Sequence, residues 1–423
     1  MPCSSERIAG RGSFGKVVLA EVAGTGELVA VKVVAKARLK TKAHGERAQT
    51  ELRTMRDVAS TSPFLVGSRG AFQASNALIY MLPYSAGGEL FFHLQQQGRF
   101  EESKTRILAM QVLLALEHLH SHGVVYRDLK PENVLISAEG RAQVADFGLV
   151  KFLPRVELDV GEAAPKPRRS TFSLFGRRGT KKEPSSSASA AHWWGTTKTR
   201  CGTPAYQAPE LVRGEEHGLE ADFWTLGVLV YELLVGEPPF IAAEVKQVYD
   251  LILANKPEYP AKRISETTKD LLTKLMCLDR KARLGFGPVD ATAIKAHPFF
   301  DPPKKGKADP ATLTWVAVEG LTAPPALVPE EIGLGDPRDA IFFHAEFTSE
   351  DVREYIPPIT KLPQAQQLYL SGAFKEFTTV PDDDVSRFVS AEPLPSLEKG
   401  DVDPNDLAAK NIQVAKPAAK NDD

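Results

Sequence analysis

Two segments at a fixed interval restrict this chain more than any other feature: YRDLKPENVLI at 126–136 and ADFGL at 145–149. Together they place Arg127, Asp128, Lys130 and Asn133 in the order Arg-Asp-x-Lys-x-x-Asn, with Asp146 thirteen residues beyond Asn133. The chain on either side narrows the choice of fold further. Upstream, RIAGRGSFGKVVLAEV and ELVAVKVV alternate glycines with β-branched runs across 5–35, and the spacer AGTGE reads as a turn, so three consecutive strands form a meander. HGERAQTELRTMRDVA (44–59) sets Leu52, Met55 and Val58 on one side of a helix, and ALIYMLPY (77–84) is a further strand stopped by Pro83. From GGELFFHLQQQG onward, 102–121, 220–236 and 265–277 are apolar at helical spacing. The expectation is an α+β protein of two lobes, a small β-rich one over 5–83 and a larger helical one over 84–300.

Two regions break this pattern. Residues 154–198 are rich in Pro, Ser, Lys and Arg; from Lys151 to Arg200 there are eleven Lys/Arg against four Asp/Glu, a local net charge of +7. A structureless stretch of that length inside a compact domain is unusual, so a disordered insertion is expected there. Residues 301–381 hold scattered prolines and read as a tail wrapping the folded body, and 382–423 read as disordered. The overall charge of −2 exerts no global pull toward nucleic acid. Cys3, Cys201 and Cys277 are too far apart for a disulfide framework or a zinc spacing, and they suit a reducing compartment. MPCSSERIAG lacks the apolar core of a signal peptide, and the longest apolar run, 225–236, is too short to span a bilayer. A soluble cytoplasmic protein with no transmembrane segment is the default expectation.

The glycines of GRGSFGKV (Gly10, Gly12, Gly15, then Val17) are ambiguous alone: a dinucleotide fingerprint, a plain hairpin turn, or a cover for phosphates. The dinucleotide version runs from a strand into a helix. Here the glycines run into a second strand, which counts against it. A strand–loop–strand hairpin can lie over a triphosphate with its backbone N–H groups turned to the oxygens. In VAVK, Ala30 precedes Lys32, a cation within an apolar strand; it needs a partner if buried, and Glu51 on the next helix is placed to provide one, whereas an edge-strand lysine would face solvent. The central segments then supply what phosphoryl transfer requires. Asp128 can orient a hydroxyl, Lys130 can steady the transferring charge, and Asn133 with Asp146 can hold Mg²⁺ on the phosphates of ATP.

This set resembles the protein kinase signature, and the resemblance covers residues 5–300. CGTPAYQAPE (201–210) is similar to the end of a kinase activation segment, with Glu210 implied to pair with Arg283 and Asp222 to brace the catalytic loop. Tyr126 before Arg-Asp and the TRCGTP segment resemble the AGC family, which implies a phosphorylatable Thr199 clamped by Arg127 and Lys151. FFHAEFT (342–348) is similar to the AGC segment whose Phe343 approaches the adenine pocket. FKEFTT (374–379) resembles the hydrophobic motif, implying that Phe374 and Phe377 dock on the small lobe and that Thr378 is phosphorylated, as in the S6-kinase, Akt and serum-and-glucocorticoid-regulated branch. Thr379 departs from the closing aromatic, and no Ser/Thr-Pro turn motif stands between Thr348 and Phe374. Pro83 at the hinge keeps its carbonyl for the adenine amine, and the second hinge bond is implied to come from the Ser85 N–H. The chain begins almost at the first strand, so the expectation is a protein that is either minimal or truncated, without the domains often found before the core.

The resemblance also implies a substrate. Glu89, Glu132 and Glu232 match acidic positions by which basophilic AGC kinases hold arginines before the target residue, through charge-assisted pairs. Each could instead be a solvated helix charge, the usual fate of a lone Glu. Arg200 and Gln207 stand where the family has apolar residues after the target, so a weaker downstream hydrophobic preference is expected. RRST and RRGT in the insert, ending at Thr171 and Thr180, read either as autophosphorylation or pseudosubstrate elements or as a solvated basic linker, with a nuclear address or lipid contact among its uses. The partners implied are basic protein substrates and an upstream activating kinase. The rival class is a catalytically silent scaffold of the same fold.

Overall fold

The glycine-punctuated N-terminal run does form a meander. The computed structural model describes residues 8–11, 15–22, 25–74, 76–157, 192–287, 291–301, 313–327 and 412–413. Strands β1 (Ile8–Arg11), β2 (Lys16–Val22) and β3 (Leu28–Ala35) are joined by β4 (Gly70–Gln73) and β5 (Ala77–Pro83) in an antiparallel sheet of order β1-β2-β3-β5-β4. Because side chains alternate across a strand, the sheet has two faces. Val18, Val31, Val33 and Ile79 build an apolar cluster on one of them. Lys32 and, opposite it in register, Val17 lie on the other, as does Ala30 two residues before Lys32. That second face looks onto α1 (Lys42–Arg53), whose N-terminus is capped by the Thr41 side chain accepting from the His44 N–H. The helix then widens into a π-turn over Thr54–Val58, and Tyr80 Oη donates to the Ala48 carbonyl, tying helix to sheet.

The helical lobe is organised on α5 (Glu220–Val235), every residue of which is buried. TLGVLVYELLV is apolar all round, the signature of a core helix rather than a surface one. Around it stand α2 (Leu90–Gln97), α3 (Glu102–Ser121), α4 (Pro209–Arg213), α6 (Val245–Ala254) and α7 (Glu266–Leu275). Short strands line the face toward the small lobe: β6 (Gly88–Glu89), β8 (Val134–Ile136) and β9 (Ala142–Val144) form one sheet, and β7 (Val124–Val125) pairs with β10 (Lys151–Phe152). None of the helices among the described residues is long and apolar enough to cross a membrane.

Two expectations about disorder need correction. The ends of the basic insert are ordered: β11 (Arg155–Glu157) pairs antiparallel with β12 (His192–Trp194), and Thr197 bridges to His217. The cause is a packing site. Gly123, at φ +71°, has no side chain, and the Trp194 ring occupies the space within 2.5 Å of where a Cβ would be. Thr171 and Thr180 lie outside the described residues. Within 382–423, Ile412–Gln413 forms a two-residue strand on β2, opposite Val22 and Glu21, beyond the reach of β1; an open strand edge is a template for such pairing. Of the tail over 301–381, residues 313–327 pack against the helical lobe, with the Ala326 N–H donating to the Gly140 carbonyl and Trp315 against Phe300.

Candidate active site

The site forms where β3, α1 and the strand-flanked loop 126–133 converge. Lys32 Nζ lies 2.5 Å from Glu51 Oε1 and 3.1 Å from Asp146 Oδ1. Lys32 and Glu51 are both buried, so neither charge would survive alone. Burial opposes the charge on Lys32, but the carboxylates of Asp146 and Glu51 outweigh it and hold its pKa above the ordinary lysine value. Burial pushes Glu51 up against the pull of Lys32, while Asp146 ends below the usual carboxylate range, its burial overcome by Lys32 and by the Gly148 N–H.

Asp128 sits in a second network on the same cleft. Its Oδ2 accepts from Asn133 Nδ2 at 2.8 Å and its Oδ1 from Thr203 Oγ1 at 3.2 Å. Lys130 Nζ donates to Thr203 Oγ1 at 3.1 Å and lies 3.7 Å from Asp128 Oδ2. Burial raises the Asp128 pKa, with Lys130 and the Asn133 hydrogen bond opposing. The loop that carries these groups is held from below: Asp222 accepts from the Tyr126 and Arg127 N–H groups, each at 2.8 Å, and from His120 Nε2 at 2.8 Å. Arg127 and Asp146 have φ of +71° and +52°, a left-handed backbone unusual for residues with a Cβ. Strain of this kind persists only where surrounding contacts enforce it, as the Asp222 and Lys32 contacts do. Glu210 and Arg283 form a buried two-point pair at 2.7 and 2.8 Å that fixes the far end of the segment.

The structure brings Lys32, Glu51, Asp128, Lys130, Asn133 and Asp146 together, with Val17 and Ala30 on the same sheet face as Lys32. Gly10 stands opposite Val17 in β1. A Cβ on Gly15 would lie 2.8 Å from the Val33 carbonyl oxygen, so only glycine fits. Gly12 lies outside the described residues. Ser85, just past β5, is buried, with its Oγ donating to Gln143 Oε1 at 3.2 Å. Glu89, Glu132 and Glu232 gather at one end of the cleft: burial, then the Glu132 charge, raises the Glu89 pKa to about 7 and the Glu232 pKa to about 8. Glu232 Oε2 is buried with no hydrogen-bond partner.

Arg127 donates to the Leu149 carbonyl through Nε and Nη2, and its Nη1 reaches the Thr199 carbonyl at 3.5 Å. Thr199 itself is exposed, its hydroxyl 3.3 Å from that of Thr197, and Lys151 is exposed on β10. Phe343, Phe374, Phe377 and Thr378 lie outside the described residues. Three participants escape a reading of the sequence. Thr203 bridges Asp128 and Lys130, Arg47 on α1 carries charge that acts on Arg127 and Cys201, and Arg53 stacks on Phe152. Only Thr203 left a mark in the sequence, within CGTPAY. Gln207 is buried and donates to the Cys201 and Gly202 carbonyls, and Arg200 lies over the Tyr249 ring at 6.0 Å.

A β-sheet lobe over a helical lobe, with a lysine–glutamate pair facing an Asp/Lys/Asn loop, defines the protein kinase fold. The protein kinase domain family matches residues 3–166 and 179–300, breaking within the basic insert. The RAC serine/threonine-protein kinase of Drosophila melanogaster is 34% identical over 352 residues, covering 83% of this chain and 49% of the relative. Serine/threonine-protein kinase Sgk2 of Homo sapiens is 35% identical over 381 residues, covering 89% of this chain and 88% of the relative. Protein kinase C of Drosophila melanogaster is 34% identical, with 82% of this chain and 40% of the relative covered. This chain belongs to the protein kinase family, among the AGC serine/threonine kinases. It spans half the length or less of the two fly relatives.

Proposed function

We propose that this chain transfers the γ-phosphoryl group of ATP to serine or threonine hydroxyls in proteins that carry arginines ahead of the target residue. We further propose that phosphorylation at Thr199, and at Thr378, raises its activity. The observation that carries the reading is the pair of linked networks, Lys32–Glu51–Asp146 and Asp128–Lys130–Asn133–Thr203, on one cleft.

The division of labour follows from the contacts. Glu51 holds Lys32 at a fixed place on the sheet face, where its ammonium can steady phosphate oxygens beside the paired strands β1 and β2. A substrate hydroxyl entering beside Thr203 reaches Asp128, which orients it and accepts its proton as the new oxygen–phosphorus bond forms and the bond from the γ-phosphorus to its bridging oxygen breaks, with ADP leaving. Lys130 stands within reach of the same oxygens and offsets the charge of the group in transit. The donor set fits Mg²⁺. Asn133 spends its N–H on Asp128 and keeps its carbonyl oxygen, while Asp146 spends Oδ1 on Lys32 and Gly148 and keeps Oδ2. These two protein oxygens would hold the ion together with phosphate oxygens and water, and when bound it would neutralise phosphate charge.

The acidic end of the cleft supports the arginine preference. Three carboxylates held close, with Glu232 Oε2 left without a donor, form a site short of a cation. A guanidinium from the substrate supplies it in two-point geometry. The test is a peptide pair, one with arginines three and two residues before the serine and one with alanines there. A rise in KM of tenfold or more for the alanine peptide is expected, and equal kcat/KM would remove the arginine preference.

A further inference from the structure

One close contact outside the two phosphoryl-transfer networks spans the two lobes. The guanidinium of Arg53 lies 4.2 Å from the centroid of the Phe152 ring. Arg53 is the last residue of α1, two positions after Glu51, and the helix changes to a π-turn immediately beyond it. A π-turn inside a helix often marks a functional position. Phe152 belongs to the other lobe. Its backbone pairs with Val124 through β10 and β7, just ahead of Tyr126, Arg127 and Asp128. The next residue, Leu153, donates its N–H to the Gly123 carbonyl at 2.8 Å, and three residues upstream the Leu149 carbonyl accepts twice from Arg127. Phe152 is therefore fixed to the catalytic loop on both sides, while Arg53 is fixed to the helix that bears Glu51.

Arg53 forms no ion pair among the described residues; Asp57, in the π-turn that follows α1, feels the Arg53 charge but is hydrogen-bonded by Arg56 at 2.6 Å. The aromatic face is the close contact of this cation. A cation over an aromatic ring at this range is attracted by the ring quadrupole. The contact exists only when α1 stands where Glu51 meets Lys32, because two residues of one rigid helix cannot move independently.

The geometry points to Arg53 and Phe152 as a pair of positioning residues that hold α1 against the activation segment and so keep Glu51 on Lys32. Neither touches substrate; both act through the Lys32–Glu51 pair. The inference rests on the phosphoryl-transfer reading and adds to it a specific coupling between lobes.

A double-mutant cycle on the full chain tests it, with Arg53→Ala, Phe152→Leu, the double variant and Arg53→Lys. Wild type and Asp146→Ala run alongside, so that a failure of the transfer reading is seen separately. Each single change is expected to lower kcat by about 2- to 5-fold, the range a single cation–aromatic contact supports, with peptide KM unmoved. The double variant should be no slower than the worse single, and Arg53→Lys should recover most of the rate. Amide hydrogen exchange supplies a readout free of activity: Arg53→Ala should speed exchange over 42–53 and leave α5 unchanged. If the two single effects multiply in the double variant, or if exchange over 42–53 is unchanged in Arg53→Ala, the coupling is wrong.

Discussion

Asp128 and Asp146 face one cleft with opposite protonation tendencies. Burial lifts Asp128, as the proposed proton acceptor would require, whereas Lys32 holds Asp146 below the usual carboxylate range, as a proposed oxygen ligand would require. Asp146→Asn should cut kcat by at least 100-fold with the Tm within a few degrees of wild type; the measurement is a steady-state assay beside a thermal melt. The acidic cluster gives a pH signature. Glu89 and Glu232, raised to about 7 and about 8, are largely neutral in acid and become ionised as the pH climbs through those values. KM for an arginine-bearing peptide should therefore fall between pH 6 and pH 8 and level off above. Glu232→Gln should flatten that dependence. The same carboxyl, with a folded pKa above its unfolded one, favours the fold in acid and loses that contribution as the pH rises toward 8. Glu232→Gln should accordingly raise the Tm more at pH 8.5 than at pH 5. At this scale the motif spacing marks Asp128, Asn133 and Asp146 as candidates, and the fold brings them to one cleft. The sequence was silent on Arg53 and Arg47, whose partners lie far away in the chain and whose surroundings read as ordinary exposed helix.

Helices and strands were legible where periodicity was long and clean. The helix expected over 102–121 is α3 at those residues, and the apolar run within 220–236 is the buried α5. Shorter elements were not. β4 is four residues, and its pairing with β5 depends on tertiary contact rather than on GAFQ itself. The β11–β12 stem was hidden in a segment whose bulk composition is that of a linker, because its anchor is the vacant space above Gly123, a feature of the fold. Since Glu157 and His192 are paired, the 34 residues between them should be dispensable for folding. Replacing 158–191 by a short glycine–serine turn should leave the Tm unchanged or raise it, as a shorter closed loop costs less entropy. Loss of folding would show that the insert contributes to the core. Gly140, at φ +77°, gives a sharper case. A Cβ there would lie 1.7 Å from the Leu327 carbonyl oxygen. Gly140→Ala should cost about 2 kcal/mol by forcing the tail segment off the β8–β9 turn, read by denaturant melts.

The whole molecule is two lobes whose facing surfaces each hold half of the chemistry. The small lobe brings Lys32 and Glu51, the large lobe Asp128, Asn133 and Asp146, and the Lys32–Asp146 contact joins the two sets directly. Arg127, with Arg47 from α1 nearby, places positive charge from both lobes beside the activation segment. A phosphate on Thr199 would draw the two cations together, and Thr199→Ala should therefore lower kcat by about tenfold or more, an effect recovered only when Thr199 is present and phosphorylated. The central claim is transfer of phosphate by this cleft to a basic peptide. The most direct measurement is mass spectrometry of a serine peptide with upstream arginines after incubation with Mg-ATP and the full chain, phosphate on Thr199 having been confirmed, beside the Asp146→Ala variant. The account predicts one added phosphate on the serine with wild type and none with the variant. An unmodified peptide with both proteins, or equal modification by both, would contradict it.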